Sequence, residues 1–241
     1  IAVASLIYDV PAMVVCSHVK GHIQAGYAGA IKNVAMGGVS SSHRHCGWKC
    51  GRGAMHTIGE GRLLWDEEKC ELCYQCQEIC PLEVIKFENE LFAYKEDDCW
   101  RCGRCTRVCP EGALTLPGDD ERFMKALSEA AKAVLSTFKH GKVLYINFLT
   151  EIQPECDCMP AADVPVMQDQ GILVSDDIVA IEQASTDMLL EAKPLPQSAA
   201  DETERQTGDI LFELSKKPYR IQIEEAERLG LGSRDYELIE I

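Results

Sequence analysis

Between residues 70 and 80 the chain reads CELCYQCQEIC, four cysteines in eleven positions, and Pro81 follows at once. Moving 29 residues on reproduces the pattern: Cys70, Cys73, Cys76 and Cys80 map onto Cys99, Cys102, Cys105 and Cys109, and Pro81 onto Pro110. The apolar pair Val84 and Ile85 maps onto Ala113 and Leu114, so the segment is an internal duplication. The chain holds 13 cysteines in 241 residues, an odd total. Tight paired runs in a chain of this size suit metal ligation, not the disulfide framework of a small secreted domain.

A CxxCxxC loop can wrap three thiolates around one face of an iron–sulfur cube while turning backbone N–H groups toward its sulfurs. Zinc ribbons also use paired CxxC units, with two ligands from each of two separated knuckles. That leaves the third cysteine of each run and the CP tail unexplained. CxxCxxCxxxCP, present twice, is similar to the pattern of bacterial two-cluster ferredoxins, and the likeness runs from about 61 to 116, GRCTRVCPEGALTL included. The resemblance implies two [4Fe-4S] clusters, with the fourth cysteine of each run crossing to the other cluster. Cluster one then takes Cys70, Cys73, Cys76 and Cys109, and cluster two takes Cys99, Cys102, Cys105 and Cys80. Between the runs, VIKFENELFAY predicts a hairpin turning near Glu88 to Glu90. Glu67, Glu68, Glu71, Asp97 and Asp98 surround the clusters with negative charge, which opposes adding an electron and lowers the potential.

Such a module needs only a quarter of the chain. Upstream, AMVVC reads as a buried strand with Cys16 in the core. Downstream, Asp119 or Asp120 caps a predicted helix that aligns Phe123, Leu127, Ala130, Val134 and Phe138 and ends at Gly141. VLYINFL and GILVS read as strands, and a helix starts near Asp177. Strands alternating with helices predict an α/β layer structure. The expected organisation is a layered α/β domain in two parts, 1–60 and 117–241, with a ferredoxin-like 2[4Fe-4S] module inserted at 61–116. Residues 193–207, rich in Pro, Ser, Ala and acids, read as a surface linker. IQIEEAERLG reads as a short helix and YELIEI as a terminal strand.

KGHIQAGYAGAIKNVAMGGVS, the cysteine-rich insertion, and NFLTEIQPECDCMPAADVPVMQDQGILVSDDIVAIEQAS together resemble the family called domain of unknown function 362. The resemblance implies a fold and clusters more than an activity. Complete members continue N-terminally, and the abrupt start at Ile1 leads us to expect a preceding segment. HIQAGYAGAIKN is also similar to a stretch of nickel-pincer lactate racemases. That likeness implies acid–base work for His22 and cofactor attachment for Lys32, which makes them the candidate catalytic residues. The position matching a further nickel-ligand histidine is Trp48 here, with His43, His45 and His56 nearby.

Read without the families, Gly21, Gly26, Gly29, Gly37 and Gly38 allow close backbone approach, and Lys20 and Lys32 add charge for a small anionic ligand. His18, His22, His43, His45, Cys46, Cys50, Cys156 and Cys158 are the candidates for an additional metal site, because imidazole and thiolate together suit zinc, nickel or iron. A formal net charge of −15 argues against a nucleic-acid partner and for a redox protein with a basic docking face. No apolar run approaches the ~20 residues that cross a bilayer, and the N-terminus lacks a signal peptide's basic start, so no membrane contact and a cytoplasmic location are expected. The expected function is single-electron transfer to a partner or to a site in the α/β domain. The alternatives are an enzyme acting on a small anionic substrate with auxiliary clusters, an oxidoreductase in the simplest case, or an electron-transfer subunit of a larger complex.

Overall fold

β-branched and aromatic runs make the strands, and apolar stripes at helical spacing make the helices. The computed structural model describes residues 1–40, 51–52, 55, 62–80, 82–99, 103–117, 120–156, 162–201 and 208–241. In chain order the elements are α1 (Ser5–Tyr8), β1 (Met13–His18), β2 (Lys20–His22), β3 (Gly26–Ala28), α2 (Ala30–Gly38), β4 (Leu64–Trp65), α3 (Gln75–Glu78), β5 (Ile85–Glu88) and β6 (Leu91–Tyr94). They continue with α4 (Arg104–Val108), β7 (Leu114–Thr115), α5 (Asp120–Leu135), β8 (Val143–Leu149), β9 (Gly171–Ser175), α6 (Ile178–Glu191), α7 (Ile210–Ser215) and α8 (Ile221–Arg228). The chain divides into two units, one of Ile1–Met55 with Asp120–Ile241, the other of His56–Asp119.

The larger unit is mixed α/β. Its main sheet has three strands in the order β1-β8-β9. β1 runs parallel to β8, with Met13 opposite Val143 and His18 opposite Phe148; β9 runs antiparallel, with Ser175 opposite Tyr145. Alternation along the strands buries Val15, Ser17, Tyr145, Asn147 and Leu149 on one face, against which α2 and α6 pack. The other face stays open to solvent at Val14, Leu144, Ile172 and Val174. Cys16 lies on that open face and is exposed, which corrects its expected place in the core. Its neighbours Val15 and Ser17 point inward, and in a strand the intervening residue must point out.

Phe123, Met124, Leu127, Ala130, Ala131 and Val134 of α5 are buried, and α5 packs against α2 and α8. Gly38 sets the approach of α2, since a Cβ there would lie 2.6 Å from Val134 Cγ1. The helix stops at Leu135, short of Phe138, where Ser136 and Thr137 hydroxyls donate back to the carbonyls of Ala133 and Val134 and compete with the ladder. Asp177 caps α6 as expected, its Oδ1 accepting from the N–H groups of Val179 and Ala180. The expected linker is packed in its first part. Leu195 N–H donates to Val166 O, and Ala200 joins a core with Val19, Tyr27, Leu149 and Tyr219. Residues 202–207 lie outside the described residues. YELIEI makes no strand among the described residues; Leu238, Ile239 and Ile241 are exposed, and strand propensity without a ladder partner does not hold a strand.

The smaller unit carries the duplication as structure. β4 pairs antiparallel with β7, and β5 with β6. Each first strand therefore pairs with the second strand of the other copy. The 3-10 turn Glu67–Lys69 recurs as Glu96–Asp98, and α3 as α4, at the same 29-residue displacement. The hairpin of β5 and β6 turns at Asn89 and Glu90, inside the expected stretch. Among the described residues no helix is long and apolar enough to cross a membrane.

Candidate functional site

The loop from Cys70 to Cys76 is shaped by its backbone. Leu72 (φ 54°) and Tyr74 (φ 60°) adopt the left-handed region, which costs a side-chain-bearing residue about 1–2 kcal/mol and persists only where the surroundings require it. Gly103 (φ 74°) occupies the position of Tyr74 in the second copy. Cys70 N–H donates to Glu67 O at 3.2 Å and Cys99 N–H to Glu96 O at 3.1 Å, again in register with the repeat.

These turns bring cysteines of both runs to one cavity. Cys70, Cys73 and Cys76 line it together with Cys109, in a volume of about 370 Å³ that includes its open mouth. The walls are apolar: Trp65, Phe87, Ala113 and Leu114, with Tyr74 edge-on to Phe87 at 5.2 Å. Cys109 Sγ accepts from the N–H of Ala113 at 3.2 Å. Burial pushes the Cys76 thiol up to about 11, and the neighbouring Cys109, Cys70 and Cys73 push it the same way. A resident cation would reverse that cost, because bound thiols ligate as thiolates. Trp65 Nε1 is buried without a hydrogen-bond partner among the described residues. Four thiols in an apolar cavity, an N–H already directed at sulfur, and an orphaned donor fit an iron–sulfur cube. Among the described residues no group of three or more His, Cys, Asp or Glu side chains is placed to hold a metal ion. Cys80, Cys99 and Cys105 pack around one apolar cluster with Trp65, Phe92 and Tyr94; Cys102 lies outside the described residues.

The larger unit gathers a second set beyond the carboxyl ends of the parallel strands β1 and β8, the place where open α/β sheets bind ligands. His18 Nε2 donates to Thr150 O at 2.8 Å, and its Nδ1 accepts from Lys20 Nζ at 3.2 Å. Lysine is donor-only, so this pairing selects the Nε2–H tautomer of His18. Lys20 itself is buried. His22 Nδ1 accepts from the N–H groups of Gln24 and Ala25, at 3.2 and 3.0 Å. Lys32 Nζ donates to the buried Cys156 Sγ at 3.6 Å. Gly21 N–H donates to Gln153 O at 2.8 Å, and Gly21 lies so close to Pro154 O that a Cβ would overlap it. Lys32 and Cys156 are thus together, as are His18 and Lys20, while His22 braces its own turn. His43, His45, His56, Cys46, Cys50, Trp48 and Cys158 lie outside the described residues.

Two buried polar groups stand out that the sequence alone did not single out. Glu182 is fully buried in α6 and accepts from the N–H of Ala30, at the start of α2, and from Asn147 Nδ2. Burial pushes its carboxyl up to about 7, against hydrogen bonds that hold it down. The Tyr27 hydroxyl lies beside it, and neither Tyr27 Oη nor Glu182 Oε2 has a partner within hydrogen-bond limits among the described residues. Its signal in sequence was an acid on the stripe of Ile178, Ser185 and Leu189. Trp65 is the other, and two strand residues before a cysteine loop gave little signal.

Fold and site define a mixed α/β protein with a separate cysteine-lined unit. The model of the family described as domain of unknown function (DUF362) matches residues 1–187, and the chain belongs to that family. Comparison with curated proteins and with solved structures gives no match.

Proposed function

We propose that the chain is an iron–sulfur electron-transfer protein whose smaller unit is a ferredoxin-like module for two [4Fe-4S] clusters. The observation that carries this reading is the cavity lined by Cys70, Cys73 and Cys76 of one run and Cys109 of the other. Bound clusters supply one-electron redox chemistry. Cys70, Cys73, Cys76 and Cys109 hold cluster one; Cys99, Cys102, Cys105 and Cys80 hold cluster two. Trp65, Phe87 and Leu114 exclude water from cluster one, and Ala113 N–H offsets charge on Cys109. The exposed acids Glu67, Glu68, Glu71, Asp97 and Asp98 suit a redox partner with a basic docking face in the cytoplasm.

A second reading rests on the set formed by His18, Lys20, Lys32 and Cys156. It makes the α/β unit an enzyme for a small anionic substrate, with the clusters auxiliary and His22 and Lys32 as the catalytic candidates.

Purified without oxygen, the protein should contain about eight irons and about eight acid-labile sulfides per chain, as two cubes require. About two zincs per chain with no sulfide would replace the clusters by zinc ribbons.

A further inference from the structure

We propose that the indole N–H of Trp65 is a hydrogen-bond donor to a sulfur of cluster one and raises that cluster's reduction potential. The inference rests on the proposed function and adds to it a residue outside the eight cysteines.

Strand pairing fixes the ring. Trp65 sits opposite Leu114 in the β4–β7 ladder, stacks on Phe92 with centroids 5.7 Å apart, and meets Phe87 edge-on at 6.4 Å. So held, it forms one wall of the cavity that Cys70, Cys73, Cys76 and Cys109 line. Its Nε1 is buried and has no acceptor among the described residues. Indole nitrogen is a donor only, and a buried tryptophan N–H normally finds a partner, because leaving that hydrogen bond unmade carries the full desolvation cost of the group. A wall with apolar neighbours holds water poorly. The carboxylates bordering the same cavity, Glu71 and Glu111, are exposed. The acceptor that completes the arrangement is anionic sulfur, from a thiolate or an inorganic sulfide of the bound cube.

Such a donor acts on redox balance through charge. Reduction adds one electron to the cube and makes its sulfurs more negative, so an N–H bond strengthens on reduction and favours the reduced form. Trp65 thereby works against the exposed acids, which disfavour reduction. Ala113 N–H, donating to Cys109 Sγ, acts in the same sense from the backbone.

The test replaces Trp65 by 3-benzothienylalanine, which keeps the ring shape and puts sulfur in place of the N–H, and in parallel makes Trp65→Phe. Both are loaded anaerobically beside the parent, checked for iron and sulfide, and titrated with the EPR signal of each cluster as readout. We expect full cluster content and a drop in the cluster-one reduced-to-oxidised ratio of about tenfold at fixed poise, a shift of about 59 mV for a one-electron couple. The cluster-two potential should hold. An unchanged cluster-one potential in the fully loaded benzothienyl variant overturns the proposal, and so does loss of cluster one from that variant, because a tuning donor is not needed for assembly. Loss from Trp65→Phe alone is a packing effect, and the isosteric variant then decides. A parent without iron removes the proposed function itself and this inference with it.

Discussion

Cys109→Ala should leave anaerobically prepared protein with about half its iron, about four atoms per chain instead of about eight, and with the EPR signal of cluster two alone. The expectation follows from where Cys109 lies. It is a member of the second run by sequence, yet it borders the cavity of Cys70, Cys73 and Cys76 and is close enough to raise the Cys76 thiol. Removing it takes one of four ligands from cluster one while leaving Cys99, Cys102, Cys105 and Cys80 intact. Cys80→Ala should do the converse. If Cys109→Ala erased the signal of cluster two and spared cluster one, each run would ligate its own cube, and the crossing would be wrong.

Glu182→Gln should make the larger unit more stable at pH 8 and leave it unchanged at pH 4. The carboxyl is fully buried, and burial lifts it from an ordinary 4.5 to about 7. A group whose folded pKa is raised gives stability that is complete below the unfolded value and is lost as pH rises through the folded one. The parent should therefore lose stability between about pH 4.5 and about 7, by roughly 3 kcal/mol for a shift of this size. Glutamine keeps an oxygen for Ala30 N–H and carries no charge to bury, so its curve should lack that slope. Urea unfolding of both proteins across this range measures the difference. A gap between the two curves that stays constant with pH would show that ionisation of Glu182 has no part in it.

Local patterns carried much of the fold. The strands at Met13–His18, Val143–Leu149 and Gly171–Ser175, the Asp177 cap and the hairpin at Asn89 were legible because each depends on neighbours within a few residues. Sequence failed where burial depends on distant partners. Cys16 sits in an apolar strand yet faces solvent, because among the described residues helices cover only the opposite face of the sheet. Leu238, Ile239 and Ile241 have strand character, but among the described residues no edge pairs with them. At the candidate site, spacing gave the two cysteine runs, and the ferredoxin resemblance implied the crossing of Cys109 to the first run. Neither gave Lys32 beside Cys156, which are 124 residues apart and meet only through the sheet. Trp65 was hidden for the same reason, and Glu182 showed only as an acid on an apolar helix stripe, since an orphaned or distant polar contact does not name its partner locally.

Titration with dithionite under anaerobic conditions, followed by EPR at low temperature, tests electron transfer most directly. The account predicts uptake of about two electrons per chain, one for each cluster, with two interacting signals of reduced [4Fe-4S] type and full recovery on reoxidation. Protein that takes up no electrons and gives no such signal, at full cysteine content and without exposure to air, would contradict it.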